Sequence, residues 1–255
     1  MKNIIIRYCF HFAVLLLFLS VCDISTFAKV NDAKEFNSLT DKVEYYKDRY
    51  GVKCLDEKIT NNHGDGFDAL YGTRNMRTIL YGIAYRGGAN NYYHKLNKRD
   101  NHNPLPEDGL EHLLSEGFSD VYYLYATNYK DAKKLWVSKD KSDTLHYLNN
   151  SGNARKDMRN IMQDVLDVIN NPAKGPIYLH CWNGWHQSGY VSAAILMQFC
   201  KFSNESAYQY WLQNTDGVNK GYEGVKNQVK TFKPFPDISI PDSIRQQICP
   251  CMKQK

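Results

Sequence analysis

Two kinds of hydrophobic pattern alternate along the chain and predict an alternation of helices and strands. Residues 153–169 carry apolar side chains three and four positions apart, with polar residues between them, which is typical of an amphipathic helix. Residues 188–200 are almost continuously apolar and predict a buried helix. Shorter helices are predicted at residues 35–50, 108–116 and 206–213. Runs of β-branched and aromatic residues predict strands at residues 79–85, 121–125, 144–148 and 177–180.

Strands that alternate with helices favour an α/β fold with a central, mostly parallel sheet flanked by helices. The most apolar strand, at residues 177–180, is expected at the centre of that sheet because both of its faces would be covered. Ligands of such sheets bind where the strands end at their carboxyl side. The segment after Leu179 is therefore where chemistry is expected.

The chain shows no internal repeat and no long linker, so we interpret residues 29–255 as a single domain with an extended C-terminal tail. Prolines at positions 234, 236 and 241 predict that this tail follows the surface without forming regular structure.

The first 28 residues have the composition of a signal peptide. Lys2 and Arg7 precede an apolar run at residues 10–22, and small residues at positions 26 and 28 fit a signal peptidase site after Ala28. We therefore expect an exported protein, periplasmic or secreted, with no integral membrane domain after cleavage.

Two alternatives for this N-terminal segment stay open. The apolar zone extends back to Ile4, which leaves an uncleaved N-terminal anchor as one alternative. The residues Leu19-Ser20-Val21-Cys22 resemble a bacterial lipoprotein box, so a lipid anchor on Cys22 is the other. Val21 is a poor fit to that box because a small residue is expected there.

Composition and charge exclude several classes of protein and of partner. The 255 residues are 43% hydrophobic and 23% charged, which excludes a disordered or collagen-like chain. The net charge of +5 is spread along the chain with no basic run, so a nucleic-acid partner is not indicated, whereas anionic ligands are allowed. The composition does not indicate an oligomeric state.

The seven cysteines fit an oxidising compartment. Cys9 and Cys22 lie in the leader, which leaves an odd number in the mature chain, namely Cys54, Cys181, Cys200, Cys249 and Cys251. Cys249 and Cys251 are too close in sequence to pair without strain, and we expect Cys54 to pair with one of them. Cys200 is expected to be a core residue of the buried helix.

The segment that follows Leu179 has the pattern of an anion site. It runs from His180 to Gly189 (HCWNGWHQSG), with a cysteine at the end of a strand and an apolar helix directly after the loop. Such a loop can present successive backbone N–H groups, capped by a helix N-terminus, to a negatively charged group. The same positive field favours the thiolate form of a cysteine, so Cys181 is the candidate nucleophile and Ser188 its hydrogen-bond donor.

This loop resembles the signature of the cysteine-dependent protein tyrosine and dual-specificity phosphatases, His-Cys-x-x-Gly-x-x-Arg-Ser/Thr-Gly. The positions that match are His180, Cys181, Gly184, Ser188 and Gly189. Upstream, residues 85–88 (Tyr-Arg-Gly-Gly) resemble a Tyr-Arg-Ser/Gly-Gly element that is frequent in the family. The resemblance covers roughly residues 79–213 and implies the phosphatase fold. It also implies a phosphate-binding loop formed by Trp182, Asn183, Gly184, Trp185, His186 and Gln187.

The chain departs from the signature where the family has its arginine, because position 187 is glutamine. The arginine holds phosphoryl oxygens through two parallel hydrogen bonds and opposes the charge that develops during transfer. Gln187 keeps a donor but has no charge. An arginine in this type of role contributes about 10³- to 10⁵-fold in rate. Candidates to replace this arginine are Arg74, Arg77 and Arg86. The alternative is that all three have structural roles.

The chain also departs from the family at the position of the general acid. The resemblance places this aspartate some 30 residues before the cysteine, where residues 149–151 (Asn-Asn-Ser) hold no carboxylate. Asp143, or Asp140, is the nearest candidate if the loop is shifted. The absence of a general acid typically costs 10²- to 10⁴-fold in rate.

Three loop residues have two interpretations each. His186 is either a solvent-facing residue or a replacement for the missing cation or acid. Trp182 and Trp185 either line a pocket wall, which suits a ligand with a flat part, or simply cover the loop.

The leading hypothesis is therefore an exported phosphatase-like protein in which Cys181 attacks a phosphomonoester with weak or altered activity. No metal and no organic cofactor is implied. The first alternative is an inactive pseudophosphatase that binds anionic ligands or a protein partner. A further alternative keeps Cys181 as the nucleophile but directs it at a carbon electrophile.

Overall fold

The computed structural model describes residues 35–252. Its main sheet has the strand order β1-β2-β6-β3-β5-β4. The strands are β1 (Thr73–Leu80), β2 (Ala84–Ala89), β3 (Asp120–Tyr123), β4 (Leu135–Val137), β5 (Thr144–Asn149) and β6 (Ile177–Cys181). The four inner strands run parallel, while the edge strands β1 and β4 pair antiparallel with their neighbours. The predicted α/β fold with a mostly parallel sheet is confirmed.

Helices cover both faces of this sheet. They are α1 (Leu39–Tyr50), α2 (Glu107–Ser115), α3 (Arg155–Asn170), α4 (Gln187–Phe199), α5 (Asn204–Gln213), α6 (Glu223–Thr231) and α7 (Asp242–Ile248). Helices α3 to α6 pack with Ile177 and Leu179 in one buried cluster, while α2 packs with Tyr178 in the other. Successive strand residues point to opposite faces, so β6 contributes to both cores.

Strand β6 lies at the centre, as predicted, paired with β2 on one side and β3 on the other. All five of its residues are buried. Helix α4, which follows after the loop, is buried along its whole length. The strand and the helix therefore fix both ends of the loop between Cys181 and Gln187.

The strand predicted at residues 79–85 is wrong. Strand β1 ends at Leu80 and β2 begins at Ala84, with a tight turn between them in which Gly82 has a φ of +68°. The apolar pattern continues through this turn because residues 79–85 are all buried. The Gly87-Gly88 pair lies inside β2. A side chain at Gly88 would lie 2.4 Å from the carbonyl carbon of Asn183, so this glycine lets the loop approach the sheet.

The prediction of an extended, surface C-terminal tail is also wrong. Helix α7 forms after Pro241, which occupies its N-cap. Phe235, Ile238 and Ile248 are buried in the core on the α4 side. The prolines interrupt the helices without preventing the apolar residues between them from packing.

Two disulfides attach this C-terminal segment. Cys54 pairs with Cys251, which confirms the expected partner of Cys54. Cys200 pairs with Cys249, so the expectation that Cys200 is a simple core residue is wrong. Cys181 is the free cysteine of the described chain.

The signal peptide at residues 1–28 and the lipid-anchor alternative at Cys22 lie outside the described residues. Within residues 35–252, no helix combines the length and the apolar character that crossing a membrane requires.

Candidate active site

The loop of residues 181–188 closes into a ring at the carboxyl end of β6. The Sγ atom of Cys181 lies 3.3 Å from the Oγ atom of Ser188, so the two ends of the loop meet there. Cys181 is 3% exposed and carries a free thiol. Gly184 supports the turn with a φ of +78°, a conformation that suits glycine.

The carbonyl groups in the middle of the loop are held from outside the ring. Arg86 Nη2 donates to the carbonyl oxygens of Gly184 and Trp185, the latter at 3.1 Å. Asn75 Nδ2 lies 3.3 Å from the carbonyl oxygens of Asn183 and Gly184 and donates to both. Both donors come from the β1–β2 hairpin.

The carbonyls of Trp182 and His186, at the two ends of this segment, are also held by donors outside the ring. The backbone N–H of Ala89 donates to the carbonyl oxygen of Trp182 at 3.0 Å. The indole Nε1 of Trp211 donates to the carbonyl oxygen of His186 at 3.1 Å. Every carbonyl of residues 182–186 thus has a partner in strands β1 and β2 or in helix α5.

The orientation of the backbone N–H groups follows from these carbonyls. All peptide bonds of the described residues are trans, so each N–H points opposite to the preceding C=O. The N–H groups of residues 185–187 are therefore directed away from the partners of the preceding carbonyls and into the ring, whereas the backbone at Asn183 pairs with Gly88 of β2. Within the part of the chain that the structure describes, the N–H groups of residues 185–189 donate to no protein acceptor. The N–H groups of residues 185–189 around Cys181 are here called the amide cradle.

His180 positions the loop as a neutral side chain. Its Nδ1 donates to the carbonyl oxygen of Cys181 at 3.2 Å, and its Nε2 accepts from the Tyr147 hydroxyl at 2.9 Å. The ring stacks on Tyr123, with 4.9 Å between centroids. Burial lowers the pKa of His180 to about 3, which keeps the imidazole uncharged at neutral pH.

Gln187 does not point its amide at the cradle. Its Nε2 donates to the carbonyl oxygen of Ser151 at 2.5 Å and to Asn153 Oδ1 at 2.9 Å. The donor that the sequence left available for a phosphoryl group is therefore used to join the loop after β5 to helix α4. Gln187 has a positioning role in this structure.

Asp143 lies at the wrong end of the sheet to act on a group bound at Cys181. It precedes the first residue of β5, whereas Cys181 is the last residue of β6, and β3 runs parallel to both strands. Its carboxylate accepts from the Ser142 hydroxyl at 3.2 Å. Asp140 contacts the same turn. The prediction that either residue supplies the general acid is wrong.

His186 faces away from the cradle as well. Its Nε2 donates to the carbonyl oxygen of Val218, and its ring stacks on Tyr222 at 3.5 Å between centroids. Burial and, to a smaller extent, the charge of Arg86 lower the pKa of His186. A replacement cation or acid at this position has no support, and the solvent-facing alternative is wrong too, because the residue is buried.

The two loop tryptophans contact different neighbours. Trp182 stacks on Tyr125 at 4.3 Å between centroids, and its Nε1 donates to the Tyr123 hydroxyl at 2.9 Å. Trp185 Nε1 donates to Asp216 Oδ2 at 3.0 Å. Both rings are partly exposed.

Asp216, which no sequence pattern indicates, contacts the loop through Trp185. Burial raises its pKa, but hydrogen bonds from Lys58 and Asn62 and the charge of Arg77 outweigh burial, and the net pKa is lowered. An ionised carboxylate has no proton to give a leaving group. Its position after helix α5, far along the chain from Cys181, gave no sequence signal.

Strands β1 and β2, which contact the loop, carry three buried guanidinium groups. Arg74, Arg77 and Arg86 are 4%, 2% and 0% exposed. Burial, and then the charge of Arg86, lower the pKa of Arg77 to about 10, so these cations are near one another. Asp216 forms an ion pair with Arg77, and within residues 35–252 no carboxylate pairs with Arg74 or Arg86. The region therefore carries an excess of buried positive charge.

A cavity of about 340 Å³ lies away from the amide cradle. It is lined by residues such as Asn153, Arg155, Tyr190 and Phe232, and by no residue of the amide cradle. Across residues 35–252, no group of His, Cys, Asp or Glu side chains is arranged to hold a metal ion.

Comparison with known proteins gives structural neighbours only. No family model matches the chain, and no curated protein matches it. Solved structures to which the chain is similar include the human tyrosine phosphatase-like serine/threonine/tyrosine-interacting protein, at 14% identity and a TM-score of 0.40, over 61% of this chain and 93% of that one. P. aeruginosa TpbA is similar at 12% identity and a TM-score of 0.41, over 66% and 89% of the two chains.

The core catalytic domain of the PP-IP phosphatase SIW14 from S. cerevisiae, in complex with citrate, is similar at 15% identity and a TM-score of 0.40, over 62% and 85% of the chains. These neighbours are phosphatase-like proteins of the kind that the loop sequence resembles.

Proposed function

We propose that this protein binds phosphomonoesters in the amide cradle and that Cys181 attacks their phosphorus, with slow turnover. The observation that supports this most is the unpaired N–H groups of residues 185–189 beside a free thiol. Buried polar groups without partners are rare in folded proteins and call for a functional explanation. A tetrahedral oxyanion would satisfy several of these donors at once.

The chemistry balances without a cofactor. The Cys181 thiolate forms an S–P bond as the P–O bond to the leaving group breaks, and the leaving oxygen takes the bonding electron pair. Water then attacks phosphorus, the S–P bond breaks, and inorganic phosphate leaves as the thiolate is restored. The N–H groups and the excess positive charge stabilise the oxygens throughout.

The lack of an acid near the sulfur limits the substrates. Asp143 is at the other end of the sheet, and Asp216 is ionised, so the leaving oxygen departs without a proton from a carboxyl group. Aryl phosphates, whose leaving groups are stable as anions, are therefore expected to react at least about 100-fold faster than alkyl phosphates.

Hydrolysis of p-nitrophenyl phosphate and of glycerol phosphate tests this function. We expect release of p-nitrophenol by the native protein, loss of that release in Cys181→Ser, and no measurable release from glycerol phosphate. Asp143→Asn is the matched control, and its rate should stay within about twofold of native. Equal rates on the two substrates, or full activity in Cys181→Ser, would contradict the proposal.

Binding without turnover is the second candidate function, and the hydrogen bonding of Gln187 favours it. Its amide is engaged with Ser151 and Asn153, so the loop itself supplies no charged donor to the transition state. Inorganic phosphate that protects Cys181 from iodoacetamide, in a protein with no hydrolysis, would identify a binder. Activity that emerges only in Gln187→Arg would support the same conclusion. Cleavage of p-nitrophenyl acetate but not of the phosphate would instead favour the carbon-electrophile alternative.

We also propose that the protein is exported. Two disulfides in the described residues suit an oxidising compartment, because cytosolic proteins rarely keep them. Mass spectrometry of the mature protein is expected to give an N-terminus at Lys29. A retained Met1 would contradict cleavage, and a lipid-modified Cys22 at the N-terminus would establish the lipoprotein alternative.

A further inference from the structure

Arg74 has the surroundings of a ligand-binding arginine. It lies on β1, pairs in register with Gly88, and is 4% exposed. Its guanidinium carbon lies 5.0 Å from the ring centroid of Tyr93 and 5.9 Å from that of Trp185. These rings cover the guanidinium without neutralising it.

One edge of the Arg74 guanidinium is unoccupied. Nη1 donates to Asn183 Oδ1 at 3.2 Å, which anchors the group to the loop two residues after Cys181. Nε is buried and has no hydrogen-bond partner. The described residues give Nη2 no partner either. The Nε and Nη2 donors form the fork that binds two oxygens of a phosphate or carboxylate side by side.

The other two buried arginines use their Nη2 atoms within the protein, although their Nε atoms, like that of Arg74, have no hydrogen-bond partner. Arg86 Nη2 donates to the carbonyl oxygens of Gly184 and Trp185, and Arg77 Nη2 donates to Asp216. Arg77 Nη1 also donates to Asn75. Arg74 is therefore the member of this group whose Nη2 remains available to a ligand.

The electrostatics agree with this geometry. Burial lowers the pKa of Arg74, and the charges of Tyr93 and Cys181 act against that shift. Cys181 is thus within electrostatic range of the guanidinium. Burying a cation without an anionic partner is costly, so an anion that completes the site would be bound with a large electrostatic gain.

We infer that Arg74 supplies from strand β1 the bidentate guanidinium that the loop lacks at position 187, and that its Nε and Nη2 bind two oxygens of the phosphoryl group held in the amide cradle. This inference rests on the proposed function for the identity of the anion. It accounts for a loop that keeps its thiol and its amides while position 187 has become a structural residue.

Protection of Cys181 from iodoacetamide by inorganic phosphate tests Arg74 without requiring turnover. We expect the phosphate concentration for half-protection to rise about 10- to 100-fold in Arg74→Gln, because a charge-assisted pair of hydrogen bonds is lost. Arg74→Lys, which keeps the charge but not the fork, should fall between Arg74→Gln and native. Arg159→Gln is the matched control, since Arg159 is an exposed arginine paired with Asp237, and it should behave as native.

A double variant separates ligand binding from a structural role. Arg74→Gln combined with Gln187→Arg should recover part of the lost protection, because the guanidinium returns from the loop side. Native-like circular dichroism of Arg74→Lys keeps the test valid if Arg74→Gln folds poorly.

The outcomes distinguish this inference from the proposed function. Hydrolysis by the native protein with unchanged protection in Arg74→Gln would overturn the role of Arg74 and leave the phosphatase proposal standing. Weakened protection in Arg74→Gln without hydrolysis by the native protein would support Arg74 and contradict the turnover. No protection of the native protein at any phosphate concentration would overturn both.

Discussion

The two sides of the loop at residues 181–188 differ in how completely their polar groups are paired. On the outer side, Arg86, Asn75 and Trp211 hold the backbone carbonyls in fixed positions. On the inner side, successive N–H groups have no protein acceptor in the described chain. Because the hydrogen bonds that hold the backbone carbonyls come from the outer side, the N–H groups on the inner side are left pre-organised for a ligand.

Arg86 and Arg74 show the same difference in one residue type. Both are buried and both contact the loop, but Arg86 donates to its carbonyl oxygens, whereas Arg74 donates to the side chain of Asn183 and lies over the ring of Trp185. An arginine that organises a loop and an arginine that is free to bind a ligand thus differ in which of their donors are occupied. Charge and burial alone do not separate them.

The largest effect is expected when the stabilities of Arg86→Gln and Arg74→Gln are compared. Arg86→Gln removes the donor to the Trp185 carbonyl and leaves the Gly184 carbonyl with Asn75 alone, and we expect its free energy of unfolding in urea to fall by about 3–5 kcal/mol. Arg74→Gln should lose less than about 2 kcal/mol, because its inner edge has no partner to lose. Equal losses in the two variants would mean that both arginines are structural.

The pH dependence of stability tests the neutral state of His180. Its pKa is about 3 in the folded protein and near 6.5 when unfolded, so only the unfolded chain takes up the proton between these values. The stabilisation is complete above pH 6.5 and declines by about 1.4 kcal/mol for each pH unit as pH falls towards 3.

A His180→Phe variant should show a shallower decline over that range when unfolding is followed in urea at each pH. His102→Gln serves as the control, because His102 is exposed and contacts an exposed Asp100. An unchanged slope in His180→Phe would show that other groups cause the acid sensitivity.

Gln187→Ala should have the smallest effect of these variants. It tests whether the Gln187 amide binds groups of the protein or the ligand. Loss of its bonds to Ser151 and Asn153 is expected to lower the free energy of unfolding by about 1–2 kcal/mol. Half-protection of Cys181 by phosphate should change less than about threefold. A tenfold weaker protection would instead place the Gln187 amide on the ligand.

The sequence predicted the centre of this fold more accurately than its edges. Strand β6 and helix α4 were predicted within one residue of their starts, because a buried strand and a buried helix have strongly apolar patterns. The β1–β2 turn was misplaced because its apolar run is buried throughout. Strand β4 was missed, since it has only three residues and two are exposed.

For two carboxylates, the sequence pattern gave no correct prediction of their position relative to Cys181. Asp143 was selected for its distance along the chain from Cys181, but the parallel arrangement of β5 and β6 around β3 places it at the opposite end of the sheet. Asp216 carried no signal at all, because its contact with Trp185 depends on the path of the chain after α5.

The sequence by itself determined the loop chemistry: a cysteine at a strand end, a glycine for the turn and an apolar helix directly after it are local features that need no distant partner. Only the tertiary structure decided which donors are already used. Whether Arg74, Arg86 or Gln187 can reach a ligand depends on acceptors that lie far away in the chain and meet these side chains only when the sheet has formed.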